Sequence, residues 1–335
     1  MNASAPSERA ATIYDVAAHA GVAPSTVSRA LSRPGRVSSA TAEVVREAAR
    51  AVGYHRAPLT SSFNPLPTKL LAILLADIAN PVFSEIARGA QTAAEQLGHT
   101  VVIVDAQESG TRERHAAERF KSSVDGLILA SPRLSDSGIR SIAKERPVIT
   151  LNRQVPGLAA VLTDGALGAW HVATHLYELG HRSVTYVSGP ETSWADGMRW
   201  RGLKAAGESL GLRTRRIGPF PPTMNGGARA LHVWREARTS AVFAYNDVMA
   251  IGFMRAALGS GFSVPGEVSI AGFDNSYATR LTTPTLTSVA SPLHQQGATA
   301  ASNLIAMING AKSSEHPVTL PVKLMEREST GDAAG

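Results

Sequence analysis

The segment Pro24–Leu31, PSTVSRAL, gathers Ser25, Thr26, Ser28 and Arg29 around a single apolar Val27, and Ser32 follows. On a short helix these polar residues face outward. Short hydroxyls suit contacts to phosphates and base edges, and an arginine grips O6 and N7 of guanine through two parallel hydrogen bonds. A second set is scattered along the chain. Asn246 and Asp247 follow the apolar run Ala241–Ala244, Asp274 follows Val268–Ala271, and Asn152 follows Val148–Leu151. In open α/β sheets ligands bind where strands end, so amides and carboxylates there can exchange hydrogen bonds with a small polar ligand. Arg199 adds a fork of donors, while Phe83 and Trp194 offer flat walls for an apolar ligand face. The plainer alternative for Asn80, Asn246 and Asp247 is helix capping.

The elements that position these residues follow from periodicity. Tyr14–Ala20 (YDVAAHA), the tight turn Gly21-Val22-Ala23 and then Pro24–Leu31 spell helix, turn, helix. Val16, Ala17, Val22, Val27 and Leu31 form the apolar contact between the two helices. A third helix begins at Ser39 or Ala40, with Val44, Val45, Ala48 and Val52 on its inner face. The sequence predicts a headpiece over 1–56 and a linker over 57–68, where Pro58, Pro65 and Pro67 interrupt any long element. From 69 to 335 apolar runs alternate with amphipathic helices, the pattern of parallel α/β architecture. Leu70–Ala76 is the first strand, and Asn80-Pro81 opens the first helix as cap and first helical residue. Further strands are expected at Thr100–Val104, Gly126–Ala130, Val148–Leu151, Ser183–Val187, Ala241–Ala244, Val268–Ala271 and Thr285–Val289.

Composition excludes several classes. The chain has no cysteine, which removes disulfides, thiolate metal sites and a cysteine nucleophile. The spacing of His171, His175 and His181 suggests no metal site, and no cofactor is expected. Neither GxGxxG nor GxxxxGK[ST] occurs, and no nucleophile elbow appears, so the expectation is a binding protein and not an enzyme. No apolar run reaches the ~18–20 residues of a membrane helix, and Met1–Thr12 lacks the apolar stretch of an export signal; a cytoplasmic protein is expected. The formal charge is +6, and Met1–Thr68 holds seven arginines against four acids, half of that excess. An anionic partner at the amino-terminal end is consistent with that distribution.

Thr12–Leu31 (TIYDVAAHAGVAPSTVSRAL), followed by Val37-Ser38 and Val52-Gly53-Tyr54, resembles the headpiece of the lactose, galactose and purine repressor (LacI/GalR) family of bacterial transcription regulators. The likeness continues through DIANPVF (77–83), VDGLILASP (124–132), GHRSVTYVSGP (180–190), RWRGL (199–203), AYND (244–247), GFDN (272–275) and LPVKLMERESTG (320–331). It implies a small all-α helix-turn-helix headpiece, followed by an α/β domain similar to periplasmic binding proteins: two doubly wound parallel-sheet lobes clamping a ligand. Carried onto this chain, Pro24, Ser25 and Arg29 occupy base-reading positions, while Tyr14, Thr26, Ser28 and Ser32 match phosphate contacts. Phe63 falls where a hinge residue wedges into the minor groove, with Leu59 as a competitor, Pro58 able to start a short hinge helix and Pro65 ending it. Arg199, Asn246 and Asp274 match effector-binding positions, with Asn152 a weaker match.

The resemblance further implies a homodimer on a pseudo-palindromic double-stranded operator, repressing transcription under control of an effector. A sugar is the first expectation; a purine, another metabolite or a protein co-regulator are the alternatives. Two residues depart from the family pattern. Ala23 replaces the usual serine or threonine cap, and Pro24 has no side-chain hydrogen bond to offer a base.

Overall fold

The computed structural model describes residues 11–32, 37–52, 54, 67–312 and 316–333, without the Ser32 side chain. Phe63, Leu59 and most of the expected linker therefore lie outside the described residues. The chain divides into two compact units, Met1–Pro65 and Leu66–Gly335.

The first unit holds α1 (Ile13–Ala20), α2 (Pro24–Ser32) and α3 (Ser39–Ala51). Asp15 accepts from the Thr12 backbone N–H at 2.6 Å, so the first helix begins one residue earlier than the sequence suggests. Tyr14 consequently sits within its first turn. Gly21 ends α1 with φ 66°, a conformation that a Cβ would penalise. Pro24 opens α2 behind Ala23, which supplies only its carbonyl, to Thr26 and Val27. Ser38 caps α3 through the Thr41 N–H. Val16, Ala17, Val27, Val45 and Ala48 form the buried core, flanked by Val22, Leu31 and Val52. Val44 is not part of it: at 48% exposure it faces solvent, because its neighbour Val45 takes the inward position.

The second unit contains two sheets. The first lobe has β1 (Leu70–Leu75), α4 (Pro81–Gln96), β2 (Thr100–Asp105), α5 (Gly110–Phe120), β3 (Gly126–Ala130), α6 (Asp136–Ala143), β4 (Val148–Leu151) and β5 (Ala159–Thr163). The second has α7 (Gly165–Glu178), β6 (Ser183–Val187), α8 (Trp194–Leu210), β7 (Arg213–Ile217), α9 (Met224–Glu236), β8 (Ala241–Ala244), α10 (Asp247–Gly259), β9 (Ser269–Asp274) and β10 (Thr287–Ala290). The chain then returns to the first lobe for α11 (Leu293–Ile308) and β11 (Val318–Leu320), and crosses again to finish the second sheet with β12 (Lys323–Met325). Three crossings thus join the lobes. The strand orders are β11-β5-β4-β3-β1-β2 and β12-β10-β9-β8-β6-β7. All pairings are parallel except β10 with β12.

Each sheet is covered on both faces by helices, as the near-continuous apolar strands require. Glycine sets the closest helix crossings. A Cβ on Gly89 of α4 would stand 1.9 Å from the His294 carbonyl oxygen, and one on Gly297 of α11 equally close to that of Ile86. The same device recurs in the second lobe, where Gly227 of α9 meets Met249 and Gly252 of α10 meets Met224. The doubly wound fold expected from the alternating pattern is the one observed.

Candidate DNA-reading face and effector cleft

On α2 the outward side is polar by construction. Val27 is fully buried, while Pro24, Ser25, Ser28 and Arg29 are exposed and Thr26 is half-buried. Tyr14, on α1, is 70% exposed. One buried valine thus fixes the rotation of α2, and every expected base- or phosphate-contacting side chain described on it lies on its accessible faces.

The cleft is assembled differently. Its lining comes from strand ends and helix starts of both lobes: Asn80 and Phe83, Glu108, Ser131 and Arg133, and Asn152 from the first; Arg199, Tyr245, Asn246 and Asp274 from the second. The backbone is unusual here. Gln107, Glu108, Ser131, Asn152, Asp274 and Asn275 all have positive φ, at the carboxyl ends of β2, β3, β4 and β9. Among the described residues Lys69 is the only other non-glycine with this conformation. Such conformations cost about 1–3 kcal/mol each and cluster where side chains must be aimed.

Arg199 is the centre of the second-lobe wall. Its guanidinium lies 3.7 Å from the Phe273 ring centroid and 4.8 Å from that of Tyr245. It donates to Asp274 at 3.1 Å and to the Tyr245 carbonyl, while its buried Nε–H has no partner. Burial pushes the Asp274 carboxyl up to about 6, against the opposing pull of Arg199. Behind it, Asp247 is pushed to about 7 by burial and by the Asp274 carboxylate, although Ser288 and the Ser276 N–H donate to it.

The first-lobe wall is built on Arg133. It grips Glu108 through Nε at 2.5 Å and Nη2 at 3.0 Å, and donates to the Ser131 carbonyl. Buried Glu113 holds the loop behind it by accepting from the Arg133 and Leu134 N–H groups. Tyr245 of the second lobe faces Arg133 across the cleft.

Asn246 lines the cleft and also caps α10 through the Met249 N–H, so both of its readings hold at once. Asn80 does the same for α4. Asn152 lines the cleft while its Oδ1 accepts from Thr163 and Gln296, tying together two of the crossings. Phe83 lines the cleft; Trp194, the first residue of α8, does not. Sequence reasoning missed Glu108, Ser131, Arg133 and Tyr245. The space between the walls is about 20 Å³. Ordinary ligand pockets run to ~300–1,000 Å³, so a ligand must part the lobes to enter. Among the described residues no grouping of histidines and carboxylates stands ready to hold a metal ion, and no helix is long and apolar enough to cross a membrane.

Residues 12–57 match the family described as bacterial regulatory proteins, lacI family, and residues 173–330 match a periplasmic binding protein-like domain. The transcriptional repressor CytR of Escherichia coli K12 is 32% identical over 331 residues, covering 96% of this chain and 97% of that one. A solved complex of the transcriptional regulator CelR with cellobiose superposes with TM-score 0.72 at 27% identity, covering 95% of this chain and 99% of that chain. A LacI-family regulator from Enterococcus faecium with bound ribose gives TM-score 0.70 at 28% identity, over 78% of this chain and 98% of that one.

Proposed function

The chain belongs to the lacI family of bacterial regulatory proteins, and on that premise we propose that it is a repressor whose operator affinity is set by a sugar bound between its lobes. The observation that carries the reading is α2, with Val27 buried and Ser25, Ser28 and Arg29 presented outward. Arg29, Pro24 and Ser25 read bases, and Tyr14, Thr26, Ser28 and Ser32 hold phosphates, with Phe63 as the minor-groove wedge. In the cleft Arg199, Asn246, Asp274 and Asn152 take the effector's hydroxyls against Phe83. The sugars bound by CelR and by the Enterococcus faecium regulator support that choice. The protein works by binding and not by turnover, in the cytoplasm where its operator lies.

A homodimer places two headpieces in successive major grooves of a pseudo-palindrome, with half-sites about one helical turn apart. An apolar groove of about 550 Å³, lined by Met224, Val248, Ile251, Met254, Leu258 and Leu281, supports a second copy as the occupant. Leu281 and nearby Tyr277 are largely exposed in the single chain, an apolar burden that self-association removes. The effector changes operator affinity only by as much as it discriminates between the two lobe arrangements.

The test is selection of binding sites from a random duplex library with the full chain, followed by mobility shift with and without candidate sugars. Enrichment of a two-fold symmetric site, with affinity changed by one sugar, is the expected result. An unenriched pool refutes the reading. A shift driven only by a purine would leave the DNA-binding part standing and replace the sugar.

A further inference from the structure

The two arginines that line the cleft, and one beside it, are each paired with an acid, and this bears on what it can hold. Arg133 is neutralised by Glu108, Arg199 by Asp274, and Arg153 in the loop between β4 and β5 by Asp136 at 2.7 Å. In each case the acid comes from the same lobe as the arginine, so opening the lobes frees none of the three. Two more carboxylates stand behind these walls, Glu113 under the Arg133 loop and Asp247 beside Asp274. Among the described residues the lining contains no lysine. The three helix starts in the lining, those of α4, α8 and α10, already carry their own acceptors in Asn80, Ser193 and Asn246.

A phosphate dianion requires donors and positive charge that are not already committed. Of the three arginines, Arg153 and Arg199 each have a buried Nε–H without an acceptor, and of these two only Arg199 lines the cleft. One N–H matches one hydroxyl or ring oxygen. Glu108 is the more open member of its pair, 23% exposed at the side chain against 5% for Arg133. Its remaining lone pairs accept from hydroxyl donors and repel an anion.

From this geometry we infer that the cleft selects an uncharged, hydroxyl-rich ligand and rejects the phosphorylated form of the same molecule, with Glu108 enforcing the choice. The inference rests on the cleft being the effector site. Ligand hydroxyls reach Glu108 from the first lobe and Arg199 from the second, so a polyol bridges the walls. A phosphate group on the same ligand meets Glu108 with no free cation to offset it.

Thermal shift of the full chain with matched pairs tests this: ribose and ribose 5-phosphate, glucose and glucose 6-phosphate, adenosine and adenosine 5′-monophosphate, each repeated with Glu108→Gln, Glu108→Asp and Arg199→Ala. The expected result is a response to one uncharged member and none to its phosphate, lost in Arg199→Ala. Glu108→Gln keeps the size and hydrogen bonding of the side chain and narrows the preference at least about tenfold, equivalent to ~1.4 kcal/mol. Glu108→Asp retains the charge and the discrimination. A response to a phosphate ester in preference to its parent, abolished by Arg199→Ala, overturns the inference while leaving the cleft as effector site. An undiminished preference in Glu108→Gln removes Glu108 from the role. Silence from every pair removes the sugar reading of the cleft, and the inference falls with it.

Discussion

The reading face of α2 and the cleft between the lobes put polar side chains to opposite use. On α2 the polar groups are held in water by one buried valine, and Arg29 stays exposed. In the cleft Arg199 is 4% exposed, stacked on two rings and paired with a carboxylate that burial has pushed toward neutrality. A surface that meets a polyanion keeps its charges solvated until contact, and draws affinity from replacing counterions. A pocket that must tell one small molecule from another fixes its polar groups in advance, which makes them part of the fold. Substitution should therefore separate the two regions, and the expected effects run from the cleft down to single titrating groups.

The largest is Arg199→Ala. Removing one partner of a buried ion pair costs about 3–5 kcal/mol, because the other charge is left without compensation. Here Asp274 escapes part of that cost by taking up a proton, more readily once Arg199 is gone, so the loss is greatest at alkaline pH and smallest below about 6, where the parent carboxyl is protonated too. Calorimetry at the two pH values reads it, and an equal loss at both would show that Asp274 is not the group left exposed. Operator binding by folded protein should be retained. Arg29→Ala reverses the pattern: melting is unchanged, since an exposed side chain is removed. Operator affinity falls by about 1–3 kcal/mol, with relaxed choice at one base pair. Unchanged affinity and specificity in a mobility-shift series would remove Arg29 as a base reader.

The same contrast decides what was legible in the sequence. The headpiece is one contiguous pattern, so helices, turn and exposed face could be read together, and only the start of the first helix and Val44 were misplaced. The second unit's fold was legible from its apolar strands, but β5, β7, β11 and β12 were not. Arg213–Ile217 is an edge strand rich in arginine and has no apolar run, while β11 and β12 have three residues each. The second-lobe wall was visible because Asn246 and Asp274 sit at the ends of apolar strands. The first-lobe wall was not. Glu108 and Ser131 owe their direction to positive φ, which their residue types do not announce, and Arg133 to a clamp by Glu113 from another helix. Ser131 did follow directly on the apolar run Gly126–Ala130, and that position was the available signal.

The smallest effect separates the regions by proton linkage. Asp247 titrates near 7 and Asp274 near 6 in the folded chain, against 3.8 for an unperturbed aspartate. A carboxyl whose folded pKa is raised weakens the fold wherever it is ionised in both states. That penalty is complete above about pH 7, declines as the pH falls, and vanishes below 3.8. His175 and His181 in the same lobe act in the other direction, since burial lowers both, and their contribution is lost on acidification. Comparing Asp247→Asn with the parent cancels the histidines and any pH-independent cost of the amide. The variant's melting temperature relative to the parent should be more favourable at pH 8 than at pH 5, by the equivalent of roughly 2 kcal/mol, or several degrees. A difference that does not move with pH would mean that Asp247 is ionised throughout, its serine donors outweighing burial. The cleft would then be as insensitive to protons as a solvated face, and the contrast between the regions would rest on packing alone.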